Sequence, residues 1–444
     1  PTTSSVTPTT SSVTPTTSTN PYGTSLTYSQ YMAAEDGTEV VIEGYIQARR
    51  TWYNGAVLYL QDDDGAYFIY NLPCTQTEYN EQLLVGNKIQ VKGKKGSWGG
   101  EVEILANQSG AEAEWALLSG TKTYDAKSIT LSEAEANQNQ FVSYTNLIIQ
   151  DVYEEGRNVY YLVTDGTKSY TFCVETYMES TPKTSTTYTT VAALSKGDIV
   201  DVKGYQYIYY TPQLHTTEVT KKSGNAFDKA EGVLTYSEYI AKSDGETVTI
   251  SGYIDNKQSW WSNKASLYLS DKDGGYFIYN LPCTENEYNT DLVIGNKITV
   301  TGYKTSWHGE VEIDGSRSGS EAEWTVDSTI KYIENPVNYT SLLSNKTELL
   351  KHNNQKVEFK NLEVVSVTEP TSDNGDIYYV VKYTADDNTE YTYTFCVESY
   401  LTDKTTDVYK TVLALSAGDK INVTGYLYAY NDPQLHTLTC TKVA

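Results

Sequence analysis

One eight-residue phrase, G-N/D-x-x-x-V-x-G, recurs four times in this chain with identical internal spacing. A strand–turn–strand phrase such as LYLQDDDGAYFIY precedes each copy. A chain of 444 residues exceeds what one hydrophobic core usually supports. We therefore expect four related β modules of about 100 residues each. The phrase runs from Gly86 to Gly93, from Gly197 to Gly204, from Gly295 to Gly302, and from Gly418 to Gly425.

A longer duplication pairs these modules. LTYSQYMAAEDG, which begins at Leu26, recurs as LTYSEYIAKSDG from Leu234, and YFIYNLPC and GEVEI also occur twice. The two copies span about 24–224 and 225–444. The predicted organisation is a linker at 1–23, module A1 at 24–118, module A2 at 119–224, module B1 at 225–327 and module B2 at 328–444.

The pattern inside module A1 predicts its fold. VVIEGYI alternates as a strand, and VLYLQD and YFIYNL form a hairpin across Asp-Asp-Gly. A short helical crossing leads to strand four, NKIQVKG, and KKGSWGG is read as a turn before strand five, EVEILA. Five strands with a helix between the third and fourth are the layout of the OB fold. We expect an all-β protein of tandem OB-like barrels, in two copies of a two-module unit, with small helical connections.

The net charge narrows the partners. Asp and Glu number 57 against 33 Lys and Arg, and a field of that sign repels phosphate. We therefore expect no nucleic-acid partner and no binding to anionic membranes. No apolar run is long enough to span a bilayer, so membrane insertion is not expected either. We expect the chain to be a monomer.

The N-terminal segment and the composition indicate where the protein works. Residues 1–20 repeat PTTSSVT and cannot form a core, so we read them as an extended tether. Ser/Thr-Pro spacers of this kind are typical of secreted or surface proteins. The 41 tyrosines, with abundant Thr, Ser and Asn, fit a β-rich extracellular protein. We expect a secreted protein or one on a bacterial cell surface.

The string GYI, LYLQDDDG, GNKIQVKG and GEVEI resembles OB-fold modules of exported bacterial proteins. The tandem layout, the Tyr and Trp content and the Thr-Pro tether also resemble the starch-binding regions of starch adherence system proteins, which belong to the amylosomes of gut bacteria. That resemblance implies a starch or other α-glucan ligand and, through flanking regions, contacts with other surface or amylosome-type proteins. It carries no signature motif, so it assigns no residue.

Two tryptophan-bearing loops, each present twice, mark the candidate ligand site. OB folds bind oligosaccharides and oligonucleotides across strands two and three, between the strand 1–2 and strand 4–5 loops. The predicted strands place aromatic residues in both loops. Aromatic rings attract the weakly positive C–H faces of a sugar. The predicted carbohydrate-binding residues are Trp52, Tyr53, Trp98, Trp260, Trp261 and Trp307, with Arg50, Asn54, Lys95, Lys257, Asn263 and His308 as secondary candidates at the rim.

Packing is the competing explanation for each aromatic residue. Trp52 and Trp98 would then cap their own barrel. We expect Trp115 and Trp324, which end the EAEW phrases, to pack between modules. Tyrosines at a spacing of two line one strand face, and we favour sheet packing for them over a second sugar platform. They are Tyr205, Tyr207 and Tyr209, with Tyr426, Tyr428 and Tyr430.

Other chemistry is weakly indicated. His215 and His436 lack a nucleophile or second ligand, so we expect structural roles. Asp62-Asp63-Asp64-Gly65 lacks the ligand spacing of a calcium loop, and we favour a hairpin turn. Five cysteines predict buried free thiols, although pairing of Cys74 with Cys173 and of Cys283 with Cys396 stays open. We expect no metal and no cofactor.

The sequence favours a non-catalytic carbohydrate-binding protein with two equivalent aromatic sites. Two pairs of acids, Glu101 with Glu103 and Glu310 with Glu312, are predicted to be exposed on one strand face. A glycosidase instead needs two carboxyl groups that face each other across a cleft. We therefore expect no enzyme activity. Two alternatives stay open: an adhesin or scaffold module that binds another protein, and an OB protein that binds single-stranded nucleic acid, because bases also stack on aromatic platforms.

Overall fold

Strand pairing in the first module follows the OB order. The computed structural model describes residues 20–107, 109–372 and 375–443. The elements of the first barrel are α1 (Tyr28–Ala33), β1 (Glu39–Arg49), β2 (Ala56–Gln61), β3 (Ala66–Leu72), α2 (Gln76–Glu81), β4 (Asn87–Trp98), β5 (Glu101–Leu105) and β6 (Glu114–Thr121). The order is β1-β2-β3-β5-β4, and β1 closes the barrel by pairing with β4. Strands β3 and β5 run parallel, with α2 spanning the crossover between β3 and β4.

The same barrel is built three more times. The second contains β7 (Lys127–Ser128), β8 (Phe141–Glu155), β9 (Asn158–Thr164), β10 (Ser169–Val174), α3 (Thr186–Ala192), β11 (Asp198–Tyr209) and β12 (Thr211–Asn225), with 3-10 turns at Leu131–Glu133 and Glu135–Asn137. The third contains α4 (Tyr236–Ala241), β13 (Thr247–Lys257), β14 (Lys264–Ser270), β15 (Gly275–Pro282), α5 (Glu285–Thr290), β16 (Lys297–Trp307), β17 (Glu310–Asp314) and β18 (Glu323–Asp327). The fourth contains β19 (Val337–Asn338), α6 (Lys346–Leu349), β20 (Lys356–Thr368), β21 (Ile377–Thr384), β22 (Glu390–Val397), α7 (Asp407–Leu413), β23 (Lys420–Tyr430) and β24 (Asp432–Lys442), with 3-10 turns at Thr340–Ser344 and Leu350–His352. The predicted fold class, tandem OB-like barrels, is confirmed.

Local sequence explains the elements. In β1 the side chains of Val40 and Ile42 are buried while those of Val41 and Glu43 are partly exposed, which is the period of a half-buried strand. Helix α2 starts at a capping box, because the Thr75 hydroxyl accepts from the backbone N–H of Glu78 and the Glu78 carboxylate accepts from the backbone N–H of Thr75.

The structure differs from the sequence prediction at two places in module A1. Strand β4 continues through KKGSW, so Trp98 ends a strand and the turn is only Gly99-Gly100, both with positive φ. A sixth strand, β6, pairs with β4 and extends to Thr121. Most of the predicted tether, residues 1–19, lies outside the described residues.

The recurring glycine phrase has a structural cause. Its first glycine has a positive φ in all four modules, for example 94° at Gly86 and 89° at Gly418, which suits glycine at the turn that enters the fourth barrel strand. Its last glycine lies where a neighbour is too close for a side chain. A Cβ on Gly425 would be 2.2 Å from the His436 carbonyl oxygen, and one on Gly204 would be 2.3 Å from that of His215.

This difference predicts unequal effects of alanine at the two ends of the phrase. Gly425→Ala must displace the paired strand and should destabilise the chain by about 3 kcal/mol or more. Gly418→Ala has open space for the Cβ and suffers only backbone strain, so it should cost about 1–2 kcal/mol. Urea unfolding of both variants measures the two losses in the free energy of unfolding. Equal losses would show that β24 can shift away from Gly425 at little cost.

Successive barrels are joined by buried aromatic contacts. Tyr59 of A1 stacks on Tyr205 of A2 with ring centroids 4.6 Å apart, and Tyr268 of B1 stacks on Tyr426 of B2 at 4.0 Å. Between the two units, the Gln150 side-chain amide donates to the Ile333 carbonyl at 2.5 Å, and a small cluster combines Ile148 with Phe227 and Tyr332. These contacts fix neighbouring modules relative to one another.

The tyrosine ladder takes part in this packing. Tyr205 and Tyr426 are buried at the junctions, and Tyr207 stacks on His215 with centroids 4.4 Å apart. At the end of the ladder, the exposed Tyr209 ring lies beside Gly99, next to the Trp98 turn. The five cysteines all fall within the described residues and are free thiols.

Candidate functional site

An open groove lies on the OB face of module B1 and continues onto module B2. Its volume is about 700 Å³. Strands β14 and β15, the β13–β14 loop and the ends of β16 and β17 supply one side, and B2 supplies the remainder. The residues lining it are Gln258, Ser259, Trp261, Lys264, Ala265, Ser266, Phe277, Tyr279, Asn280, Thr305, Ser306, Trp307, Glu312, Asp314, Glu398, Tyr400, Tyr428 and His436.

Large aromatic rings project into solvent along this groove. The side chains of Trp261 and Trp307 are 68% and 58% exposed, and Tyr279 and Tyr400 are exposed as well. Several exposed aromatic rings grouped along one groove are typical of a ligand-binding or interaction surface. The first unit has an exposed aromatic residue at each equivalent position: Tyr53 at 83%, Trp98 at 63%, Tyr70 and Tyr177.

The Trp261 loop is held in place by backbone bonds. The backbone N–H of Trp261 donates to the Lys264 carbonyl at 3.0 Å, and the Lys264 N–H donates back at 3.2 Å. Ser262 and Asn263 adopt positive φ between them. The backbone N–H of Ser259 donates to the carbonyl of Tyr400 at 2.8 Å, which ties the loop to B2. The ring is therefore presented by an ordered loop.

The Trp307 turn is also supported by B2. His308 has a φ of 50° at the tip of the turn, and its carbonyl accepts from the backbone N–H of Asn431 at 2.6 Å. The His308 ring lies 4.7 Å from the Tyr430 ring. In the first unit the backbone N–H of Tyr210 donates to the Gly99 carbonyl in the same way. The groove of the second unit thus needs both of its modules, and the modules of the first unit are joined in the same way.

Trp52 and Trp260 lie in the predicted loops between the first and second barrel strands, but their rings face inward. Both are half-buried and pack on the cores of their own barrels, and the Trp260 indole N–H donates to the Cys283 carbonyl at 3.1 Å. They brace the loops that carry Tyr53 and Trp261 and offer no open platform. The predicted six-residue site therefore reduces to four open rings, those of Tyr53, Trp98, Trp261 and Trp307.

Three of the predicted rim residues are engaged inside the protein. The Arg50 guanidinium pairs with Glu175 at 2.9 Å. The buried Lys95 ammonium donates to two carbonyls of the α1 end, and the Lys257 ammonium donates to the Tyr288 carbonyl at 2.6 Å. These cations hold the barrel and its neighbours together, so they are not free to bind a ligand.

The other rim candidates stay at the surface. Asn54 and Asn263 are exposed on the aromatic loops and have positive φ, which is a reason for asparagine at a turn. His308 is exposed beside Trp307, and its Nδ1 lies 3.2 Å from the Asn431 side chain. Their positions leave them able to contact a ligand on the rings.

Trp115 and Trp324 do not pack between modules as expected. Each lies on its own barrel, where its indole N–H donates to a proline carbonyl, Pro73 at 3.1 Å and Pro282 at 2.9 Å. Strands β6 and β18 carry them back along the fourth strand of the same barrel, which is why the prediction of junction packing was wrong.

The residues that the second module contributes to the groove were not among the predicted site residues. Glu398 and Tyr400 come from CVESY, and the matching CVETY in A2 supplies Glu175 and Tyr177. The repetition of these phrases was visible, but nothing local shows that they reach the neighbouring barrel. The His436 side chain lies next to Glu398, with Nδ1 to Oε2 at 3.6 Å.

Burial determines the protonation states of His436, Glu398 and Glu312 in the groove. Burial lowers the pKa of His436 to about 4, so the ring is neutral, and Nδ1 lies 2.9 Å from the Tyr268 hydroxyl. Burial, followed by the charge of Asp376, raises the pKa of Glu398 to about 7. Burial, followed by the charge of Asp314, raises the pKa of Glu312 to about 7. The groove therefore holds carboxyl groups that readily change protonation near neutral pH.

Glu101 and Glu310 are buried at the module junctions, so their predicted exposure was wrong. The Glu310 carboxyl accepts from the Asn353 side chain at 2.8 Å and from the backbone N–H of Ala429 at 2.9 Å. Glu101 accepts equivalently from Gln138 and Ile208. Burial raises the pKa of both carboxyls to about 8, because these bonds only partly offset desolvation.

The Asp-rich hairpin turn satisfies its own backbone. The Asp62 carboxylate accepts from the backbone N–H groups of Asp64 and Gly65 at 2.8 and 2.7 Å. Within the described ranges, no three His, Cys, Asp or Glu side chains are grouped so that they could hold a metal ion. No helix among the described residues has the length and apolarity needed to cross a membrane.

The architecture defines a tandem OB-fold protein with an aromatic groove on the face that OB folds use for ligands. No family model and no curated protein matches the sequence. Among solved structures, a murine DNA-binding protein bound with double-stranded DNA is similar, at 15% identity over 44% of this chain and 98% of that chain, with a TM-score of 0.18. A HINa domain in complex with DNA has 11% identity over 42% and 95%, and a replication protein A heterotrimer bound to single-stranded DNA has 9% identity over 68% and 93%, both with a TM-score of 0.18.

The expectation that nucleic acid is excluded as a partner was wrong. The structural neighbours are OB-fold domains solved with double-stranded or single-stranded DNA. The exclusion rested on the net charge of the whole chain. That charge does not fix the local potential at one binding face, and stacking on aromatic rings requires no particular net charge.

Proposed function

We propose that the chain binds polysaccharide without cleaving it, in one aromatic groove per two-module unit. The observation that carries this proposal is the pair of exposed indoles, Trp261 and Trp307, on one groove of about 700 Å³. Rings separated along a groove suit successive sugar residues of a chain, each of which has an apolar C–H face.

The polar lining fits the edges of a sugar. Hydroxyl groups donate well to carboxylates, and Glu312 and Asp314 supply these in the groove. Ser266 and Asn280 add a hydroxyl and an amide that can both donate and accept. A few polar groups among aromatic side chains are the usual composition of a site for a small polar ligand.

Starch and other α-glucans are the first ligands to test. This choice rests on the resemblance of the tandem layout and Thr-Pro tether to starch-binding regions. The same resemblance supports a location outside the cell and an attachment to other surface proteins through flanking regions. Within that proposal the chain would hold a glycan for enzymes carried elsewhere.

Two grooves on one chain would compensate for weak single sites. A millimolar site corresponds to about −4 kcal/mol. Contacts such as that of Lys196 with Glu334 at 2.7 Å join A2 to B2 and hold the two units together. If both grooves reach one glycan, the gain in avidity is roughly 10²–10⁴.

Single-stranded nucleic acid is the second candidate. The observation that favours it is Lys264, whose ammonium lies 5.4 Å from the centre of the Trp261 ring. A base stacked on that indole would bring its phosphate within reach of this lysine, which is the combination that single-strand binders use.

Calorimetric titration separates the two candidates. We expect maltooligosaccharides of about seven units to bind each groove with a Kd on the order of 1 mM or tighter, and we expect no reducing sugar to be released. Oligothymidylate of similar length is the competing ligand. Saturable, salt-sensitive binding of oligothymidylate, together with no heat from any α-glucan, cello- or xylo-oligosaccharide, would replace the proposed function by the second candidate.

A further inference from the structure

The two units carry exposed aromatic rings at equivalent positions but differ in the charged residues beside them. In the first unit Glu103 and Glu175 stand at the positions of Glu312 and Glu398, and the Arg50 guanidinium lies 2.9 Å from Glu175. The pKa of Glu103 is raised by burial and is lowered, to a lesser extent, by Arg50. The Arg50 guanidinium also lies 5.5 Å from the centre of the Phe68 ring. The first unit therefore carries an internal cation, paired with Glu175, beside the matching aromatic face.

In the second unit that cation is replaced by a neutral amide. Gln258 stands at the position of Arg50, and its side-chain N–H group lies 2.9 Å from both oxygens of Glu398. The groove also gains a carboxyl, since Asp314 stands where the first unit has Leu105 at the end of GEVEI. Three carboxyls thus line the second groove against one lysine, Lys264.

We infer that the second groove selects glycans that carry protonated amines, such as glucosamine chains, whereas the first groove selects neutral sugars. The inference rests on the proposed function, because it names the ligand class of the same grooves. An ammonium group would meet carboxylates on the lining, and the open faces of Trp261 and Trp307 attract cations.

The protonation behaviour of the lining supports this assignment. Burial raises the pKa of Glu312 and of Glu398 to about 7, so both are only partly ionised near neutral pH in the empty groove. A ligand cation next to them would favour their ionised forms. The neutral Gln258 amide donates to Glu398 and leaves that charge for the ligand.

The test uses variants that keep one groove. Tyr53→Ala with Trp98→Ala leaves the second groove intact, and Trp261→Ala with Trp307→Ala leaves the first. Each is titrated at neutral pH and low ionic strength with the tetramers of glucosamine, of N-acetylglucosamine and of α-1,4-linked glucose. The second groove should bind the glucosamine tetramer about tenfold more tightly than its acetylated form, and added salt should reduce this preference. The first groove should show no such preference.

Exchanging the differing residues provides the matched control. Gln258→Arg with Asp314→Leu introduces the first unit's own residues and should abolish the preference of the second groove. Arg50→Gln with Leu105→Asp should create it in the first. Equal affinity for the glucosamine and N-acetylglucosamine tetramers, or a preference that survives the exchange, overturns this inference and leaves the proposed function standing. If neither groove binds any of the three glycans, both proposals fail.

Discussion

Removing both indoles of the second groove is expected to weaken glycan binding there by about 30-fold or more. Trp261 and Trp307 are exposed in the free protein, so stacking on them is gained only when a ligand binds. Losing two stacked rings removes about 1 kcal/mol each or somewhat more, and 1.4 kcal/mol corresponds to a factor of ten. The measurement is a titration of Trp261→Ala/Trp307→Ala in a chain whose first groove is already silenced by Tyr53→Ala and Trp98→Ala.

A buried tryptophan supplies the control for this prediction. Trp324 packs on the core of the same barrel, and its indole N–H donates to the Pro282 carbonyl at 2.9 Å. Trp324→Phe should lower stability by about 1–2 kcal/mol, because it leaves that carbonyl unpaired. It should leave glycan affinity unchanged. Loss of affinity in Trp324→Phe equal to that in the double variant would mean that barrel integrity, and not the open rings, determines binding.

Replacing the two buried junction glutamates is expected to stabilise the protein at alkaline pH. Glu101 and Glu310 have a pKa of about 8 when folded, against an ordinary value of 4.5. The folded chain therefore keeps two protons that the unfolded chain releases above pH 4.5. Their stabilising effect is full below that pH and is lost as the pH rises through about 8.

Glu101→Gln with Glu310→Gln keeps the accepting oxygen and removes the titration. The melting temperature at pH 8 should rise by about 3–8 °C while that at pH 5 changes little. Glu238→Gln is the contrasting variant, because bonds from the Thr235 backbone and hydroxyl lower the pKa of this exposed cap. It should give no gain at pH 8. If the melting temperatures of the double variant and of the unaltered protein depend on pH in the same way, other groups control the pH dependence of stability.

The sequence predicted the barrels well because the signals that define them are local. Alternation in VVIEGYI, the Asp-Asp-Gly turn and the spacing of the glycine phrase each depend on a few neighbouring residues. Gly86 has a positive φ, and Gly425 lies too close to the neighbouring strand for a side chain. Any other residue at these positions would destabilise the barrel, so the phrase recurs in each module. Strand β6 was missed because EWALLSGT lacks clear alternation and buries only Leu118.

The groove was only partly predictable because its geometry depends on contacts between modules. Trp260 and Trp261 are adjacent in sequence, yet one folds onto its barrel and the other faces solvent. Because both residues are tryptophan, the residue type cannot predict which ring is buried, and tertiary packing decides it. Glu398 and Tyr400 reach the groove from the next barrel, more than 130 positions along the chain from Trp261. Glu310 appeared exposed by its strand position but is covered by Asn353 of B2.

Retention on insoluble polysaccharide tests the central claim most directly. The intact chain and a variant with Tyr53, Trp98, Trp261 and Trp307 all changed to alanine are compared on granular starch, cellulose and xylan, with folding of both verified by circular dichroism. We predict that the intact chain is retained on at least one polysaccharide, with starch first, and that the four-ring variant is not. Equal retention of both proteins, or retention of neither on any polysaccharide, would contradict the proposal that the aromatic grooves bind glycans.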